Sequence, residues 1–372
     1  MKAVLLAFNN GDLAAYLASS VVLEADTTLL IDKKLAAEGA NQLDPSVKLF
    51  VHTKPRLREP LKQIKFVYKL VRQIRRLDPD VLHIQIGHLW FNLALPFLQK
   101  YPIVTTVHDP RDHVGDVETQ KTPQFIKDYG YKSSDYIIVH SIQMKLLLIE
   151  AVGIAEDRIS VVPLTALGDT SLAQEVNEEK NTLLFFGRIW EYKGLEYLIR
   201  AEPLIRKEIP DVKIVIAGRG DEFSQYESMM ENPDSFIVHN KYITNELQSA
   251  LFRQASVVVL PYIEATQSGV IPAAYNFAKP VVATRVGALH EQIDDEKTGY
   301  LVEPRNVEEL AEKIIYLLKN DTVRRQMGAN AKDKLETEWS PSAIGRQTTA
   351  VYKKAIDIKH PVLDNLLSSG TT

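Results

Sequence analysis

The chain has 372 residues, 45% of them hydrophobic and 25% charged, the composition of a folded protein long enough for two cores rather than of a disordered or fibrous one. Its 44 Lys and Arg against 48 Asp and Glu leave a net charge of -4, which argues against a general nucleic-acid binder. It has no cysteine, so disulfides, Cys-ligated zinc, iron–sulfur clusters and a Cys nucleophile are excluded.

Met1-Lys2-Ala3-Val4-Leu5-Leu6 runs directly into a predicted strand, Val4–Phe8. This apolar stretch is too short for a signal peptide or a membrane span, so the expected location is cytoplasmic. Between residues 54 and 76 stand Lys54, Arg56, Arg58, Lys62, Lys65, Lys69, Arg72, Arg75 and Arg76 against a single acid, Glu59. Leu61, Ile64, Tyr68, Val71 and Ile74 fall on one helical face, and Lys62, Lys65, Lys69, Arg72 and Arg76 line another. The expectation is a helix with its apolar side on a sheet. Its basic side is either solvated or an anchor for anionic lipid heads or an acidic acceptor.

Further strands are predicted at Val81–Gln85, Ile103–Val107, Ile137–His140 and Ile159–Pro163. Thr165–Asn181, with Gly168-Asp169 and a run of Gln, Glu, Asn and Lys, has the composition of a linker. Beyond it come Leu183–Phe186, Val212–Ala217, Phe236–His239, Val257–Leu260 and Val281–Ala283. Two sets of about five apolar strands alternating with helices predict an α/β protein of two Rossmann-like domains, each a parallel sheet covered on both faces. The expected division is an N-terminal domain over 1–165, rejoined by a C-terminal helix within 341–358. A linker follows over 166–181, then a C-terminal domain over 182–340 and a loosely held tail over 359–372. Such folds bind ligands at the carboxyl ends of strands, and the cleft between two of them is the expected active site.

The strongest local signal is Phe185-Phe186-Gly187-Arg188, followed by Lys193-Gly194 opening a helix at Leu195. A strand enters a glycine turn, and two cations five residues apart stand at a helix entrance where backbone N–H groups already favour an anion. A forked Arg contact and a Lys point charge suit a diphosphate. Ile214-Val215-Ile216-Ala217-Gly218-Arg219-Gly220 is a strand ending in Gly-x-Gly, which lets a ligand approach the backbone. After Val257–Leu260 the polar loop Glu264 to Gly269 precedes a helix from Val270, so Thr266, Gln267, Ser268 and Gly269 sit where amides and hydroxyls can hold an anion. No metal signature is present: no His-x-Glu-x-x-His and no Asp-x-Asp at a strand end.

This order of elements resembles the group 1 retaining glycosyltransferases, with the two-Rossmann GT-B fold. The residues that carry the resemblance are Gly187, Arg188, Lys193, Gly194, Gly218, Gly220, Glu264, Gly269, Lys279 to Val282, Gly287, Glu291 and Thr298-Gly299-Tyr300-Leu301-Val302. In the first half, Asp80-Val81-Leu82-His83-Ile84 and Thr106-Val107-His108-Asp109 look like the family's strand ends. One departure stands out. The family carries a second glutamate at the start of the helix, gripping the nucleotide ribose; the equivalent position falls near Ala273 or Ala274, where no carboxylate stands, and Thr266, Gln267 or Ser268 would take over part of the sugar and ribose contacts.

The resemblance implies transfer of a hexosyl unit from a UDP- or GDP-linked sugar to a hydroxyl, with anomeric configuration kept and without metal or cofactor. Arg188 and Lys193 would stabilise the departing diphosphate, and His108 would orient the sugar. Tyr242 and Ile243 would flank the base, and Gly187, Gly218 and Val270 would shape the donor site. Glu264 would contact the donor, Glu291 would partner Arg188, Lys193 or the donor, and Gly11 would approach the phosphates or acceptor. Polysaccharide or glycolipid synthesis at the inner face of the plasma membrane is the expected setting, with a lipid-linked acceptor and peripheral contact through Lys54–Arg76. The rival readings are an epimerase or phosphorylase of the same fold, or a non-enzymatic two-lobed sugar binder.

Overall fold

The structure, a computed structural model, describes residues 1–85, 87–111, 122–164, 168–220 and 223–360. It divides into two units. The first holds 1–111, 122–164 and 341–360, and the second holds 168–340.

Continuous runs of β-branched and leucine side chains cannot leave one face wet, so they pair in parallel and are covered on both sides. In the first unit these runs are β1 (Lys2–Ala7), β2 (Asp26–Asp32), β3 (Lys48–His52), β4 (Val81–Gln85), β5 (Ile103–Thr106), β6 (Tyr136–Val139) and β7 (Ile159–Val161). They pair in the order β3-β2-β1-β4-β5-β6-β7. In the second unit they are β8 (Thr182–Phe186), β9 (Lys213–Gly218), β10 (Phe236–Asn240), β11 (Val257–Leu260), β12 (Val281–Thr284) and β13 (Gly299–Val302), in the order β10-β9-β8-β11-β12-β13. Seven and six strands replace the expected sets of about five. The additions are β2 and β3, which open on polar residues, and β13, read above only as a motif.

The chain crosses from β1 to β2 on one side of the first sheet, then returns to place β4 on β1's other edge. In the second sheet β8 likewise lies between β9 and β11. These reversals open a crevice at the carboxyl ends of the strands, the position where open α/β sheets take ligands.

The first core is closed by a helix from the end of the chain. Ile344, Val351, Tyr352 and Ala355 of Pro341–Lys359 pack with Ala14, Ala18 and Val21 of the first helix, Gly11–Val21. The second sheet carries a separate apolar cluster on each face. Residues 168–181, read as a linker, lie along the second unit. Asn276 donates to the Gly168 carbonyl (2.9 Å), Ser249 to that of Asp169 (2.9 Å), and Glu178 accepts from Lys279 (2.8 Å) and from Arg324. Residues 165–167, most of the loop Arg111–Thr122 and the tail beyond 360 lie outside the described residues.

The helix Pro60–Leu77 corrects an expectation. Its buried side chains are Gln63, Phe66, Val67, Leu70, Val71 and Ile74, whereas Leu61, Ile64 and Tyr68 face solvent. Two apolar rows run along this helix, and the sheet takes the one containing Phe66.

Candidate active site

At the end of β8, Gly187 has φ 116° and its N–H donates to the Ala217 carbonyl (2.9 Å), so the turn is pinned to the neighbouring strand. At the end of β9, a Cβ on Gly218 would fall 1.7 Å from the Gly187 carbonyl oxygen, and φ there is 155°. Only glycine fits where the two strand ends meet so closely.

The chain then places Arg188 outward. Its guanidinium lies 3.9 Å from the centre of the Trp190 ring and donates to the Tyr192 hydroxyl at 3.4 Å. A single 3-10 turn, Glu191–Lys193, ends at Gly194, whose left-handed φ of 63° starts the helix Leu195–Glu208. That turn brings the Lys193 ammonium 3.8 Å from the centre of the buried Tyr262 ring. Two cations are thus held on aromatic faces at the entrance of a fourteen-residue helix, where partial positive charge from the backbone adds to theirs.

Tyr262 couples this turn to the next loop. Its hydroxyl meets Ser268 Oγ at 3.3 Å, and its carbonyl accepts from Thr284 Oγ1 at 2.5 Å. Burial pushes the phenol of Tyr262 well above its ordinary value, so it stays a neutral hydrogen-bonding group. Ser268 is buried. Its N–H donates to Gln292 Oε1 (2.8 Å), its carbonyl accepts from Gln292 Nε2 (3.0 Å), and its hydroxyl accepts from Val270 N–H (3.3 Å). The loop after β11 is therefore braced from behind by the short helix Leu289–Gln292. Gly287, with φ 51°, would place a Cβ 1.5 Å from the Ala265 carbonyl oxygen.

Around these lie the other expected donor residues of the second unit. Glu264 is exposed, Thr266 buried and Gln267 half-buried, with its Oε1 left without a partner. Gly269 and Val270 begin the helix Val270–Asn276, and a Cβ on Gly187 would touch Val270 Cγ2 at 3.8 Å. Tyr242 is 72% exposed after β10, while Ile243 packs on the apolar cluster beneath. Glu291 is half-buried, next to the bracing Gln292. All of these lie in the loops and helix starts that follow the carboxyl ends of β10, β11 and β12.

His108 and Gly11 belong to the first unit. Gly11 is buried at the start of its helix, where a Cβ would fall 2.2 Å from the Leu35 carbonyl oxygen, so packing against Leu35 requires glycine there. His108 follows β5 and lies 4.7 Å, ring to ring, from His140. His140 Nδ1 donates to the Val162 carbonyl (2.8 Å). His83 is held by Tyr352 (2.6 Å) and Thr106 (2.7 Å). Burial lowers His83 and His108 to about 3 and His140 to about 4, so all three rings are neutral at physiological pH. They line a cavity of about 30 Å³ with Thr348, and the Nε2 atoms of His108 and His140 and the Thr348 hydroxyl have no partner. Among the described residues no group of three or more His, Asp or Glu could hold a metal ion.

Two family models match. One described as "Glycosyl transferases group 1" covers residues 180–320, and one described as "Glycosyltransferase Family 4" covers 25–164. The chain belongs to the group 1 glycosyltransferases. This glycosyltransferase is 27% identical over 317 residues to the D-inositol 3-phosphate glycosyltransferase of Pseudarthrobacter chlorophenolicus, covering 77% of the chain and 74% of that relative. It is 32% identical over 185 residues to an uncharacterized glycosyltransferase, MJ1607, of Methanocaldococcus jannaschii. That match covers 49% of the chain and about half, 47%, of the relative's length. Among solved structures, Anabaena HepE in complex with UDP and glucose superposes with a TM-score of 0.72 at 16% identity, over 95% of the chain and 100% of HepE. The fold is GT-B.

Residues of the glycosyltransferase that sequence reasoning missed are Trp190, Tyr192, Tyr262 and Gln292. The aromatic ones were visible as rings flanking the two cations and the end of β11. Gln292 carried no signal, because its partner is a backbone segment 24 residues away.

Proposed function

We propose that the enzyme moves a hexosyl unit from a UDP- or GDP-sugar to a hydroxyl acceptor and keeps the anomeric configuration. The observation that carries this reading is the pair Arg188 and Lys193, held on aromatic faces beside a helix start at the switch point of the second sheet. As the bond from C1 to the diphosphate breaks, negative charge grows on the departing oxygen, and both cations with the nearby amides stabilise it. The bond from C1 to the acceptor oxygen forms on the same face, and the acceptor's proton passes to that diphosphate oxygen. His108, neutral, orients the sugar. Fixed cations supply the charge stabilisation that a metal supplies elsewhere, so the reaction is metal-independent.

Gly187, Gly218, Gly269 and Val270 shape the donor site, Glu264, Thr266, Gln267 and Glu291 contact the donor, and Tyr242 with Ile243 flanks the base. Ser268 contacts the donor from a loop that its own hydrogen bonds hold in place. Gly11, at the start of its helix, approaches the phosphates or the acceptor. The acceptor hydroxyl is carried on a lipid, in polysaccharide or glycolipid synthesis at the cytoplasmic face of a membrane. The D-inositol 3-phosphate named for one relative supports a hydroxyl acceptor, and the UDP and glucose bound to HepE support a nucleotide-sugar donor.

Arg188→Ala and Lys193→Ala should each lower kcat by about 100-fold or more, and excess EDTA should leave the wild-type rate unchanged. Product anomers read by NMR test retention. Strict dependence on a divalent ion, or an inverted product, overturns the reading.

A further inference from the structure

The helix Pro60–Leu77 keeps large apolar side chains in water although its sheet-facing side is already filled. Leu61 is 82% exposed, Ile64 58% and Tyr68 65%, while Phe66, Val67, Leu70, Val71 and Ile74 cover the sheet. Interspersed with the exposed three are Lys62, Lys65, Lys69 and Arg72. Lys62 pairs with Glu59, whereas Lys65, Lys69 and Arg72 form no ion pair among the described residues.

The surroundings extend this character. The edge strand β3 exposes Leu49, Phe50 and Val51. A groove of about 520 Å³ between it and the helix is lined by Phe50, Val51 and Pro55 together with Lys62, Lys65 and Lys69. Exposed Phe97, whose carbonyl accepts from Arg75 (2.9 Å), continues the patch beyond the helix's last turn.

A merely solvated basic face has no use for Leu61, Ile64 and Tyr68. An interface that buried them against protein would strand the lysines between them without partners. Cations on flexible stems alternating with apolar side chains fit a surface whose outer layer is anionic and whose next layer is hydrocarbon. We propose that this face docks the N-terminal unit on a bilayer containing anionic phospholipid. Leu61, Ile64 and Tyr68 enter the headgroup–acyl boundary, and Lys65, Lys69 and Arg72 lie against phosphates. The inference deepens, and takes its purpose from, the lipid-carried acceptor proposed above; vesicle binding is read without sugar transfer, so its failure leaves the donor chemistry standing.

The test sediments the full chain with vesicles of phosphatidylcholine, alone or mixed with phosphatidylglycerol. Wild type should bind the mixed vesicles, more weakly as salt rises, and leave the neutral ones. Lys65→Glu, Lys69→Glu and Arg72→Glu combined should weaken binding about 100-fold or more. Leu61→Ser with Ile64→Ser should weaken it about tenfold and remove what survives high salt. These side chains are exposed, so unchanged thermal melting should confirm that both variants fold. Wild type left in the supernatant, equal binding by the triple variant, or a dimer abolished by Leu61→Ser with Ile64→Ser in protein that ignores vesicles would each overturn the proposal.

Discussion

Asp12 stands in the first turn of the helix that follows β1, with one carboxyl oxygen buried and unpartnered. Burial, with a smaller contribution from Glu38, pushes its pKa up from 3.8 to about 6. The fold therefore favours the protonated form. Relative to the unfolded chain, stability is intact below about pH 4 and is lost as pH rises toward 6. Asp12→Asn should raise Tm at pH 8 by about 3 °C or more, and the gain should vanish near pH 4, as differential scanning fluorimetry would read. The turn that carries Arg188 and Lys193 was legible, because glycines between an apolar strand and a helical segment mark a tight strand-to-helix turn. Asp12 was not. An aspartate at a helix start reads as an ordinary dipole partner, and its burial depends on the helix Lys33–Glu38, which follows a strand the apolar pattern did not reveal.

Loops at strand ends here are held by close backbone approaches as well as by side chains. At Gly287 the φ is left-handed, and the Ala265 carbonyl stands where a Cβ would be. Gly287→Ala must displace the loop that carries Thr266 to Gly269. A fall in Tm of about 5 °C or more is expected, with weaker binding of nucleoside diphosphate by calorimetry. The same scale explains what periodicity missed. Along Pro60–Leu77, Leu61, Ile64 and Tyr68 satisfy a helical repeat as well as Phe66, Val67 and Leu70 do, and only the sheet decides which row is covered. Edge strand β3 stayed hidden because its apolar run, Leu49-Phe50-Val51, is only three residues long between Lys48 and His52, and it pairs on one side only.

Among the described residues, strongly lowered histidines concentrate in the first unit. His83 and His108 sit at about 3, and His52, His88 and His140 at about 4, each chiefly through burial. A neutral ring in the fold that ordinarily titrates near 6.5 supports stability above that pH, and the support is withdrawn as pH falls through 6.5 toward 4. As pH falls from about 7 toward about 4.5, hydrogen-exchange protection factors, corrected for the slower intrinsic exchange in acid, should drop in β4, β5 and β6 before they drop in β8, β9 and β11.

The helix Pro341–Lys359 has a last consequence. Tyr352, the partner of His83, emerges from the ribosome after every residue of the second unit has already been made. The nascent chain can condense its second unit while the sheet synthesised first still waits for its closing helix, which leaves the unit begun first free to be the last one completed.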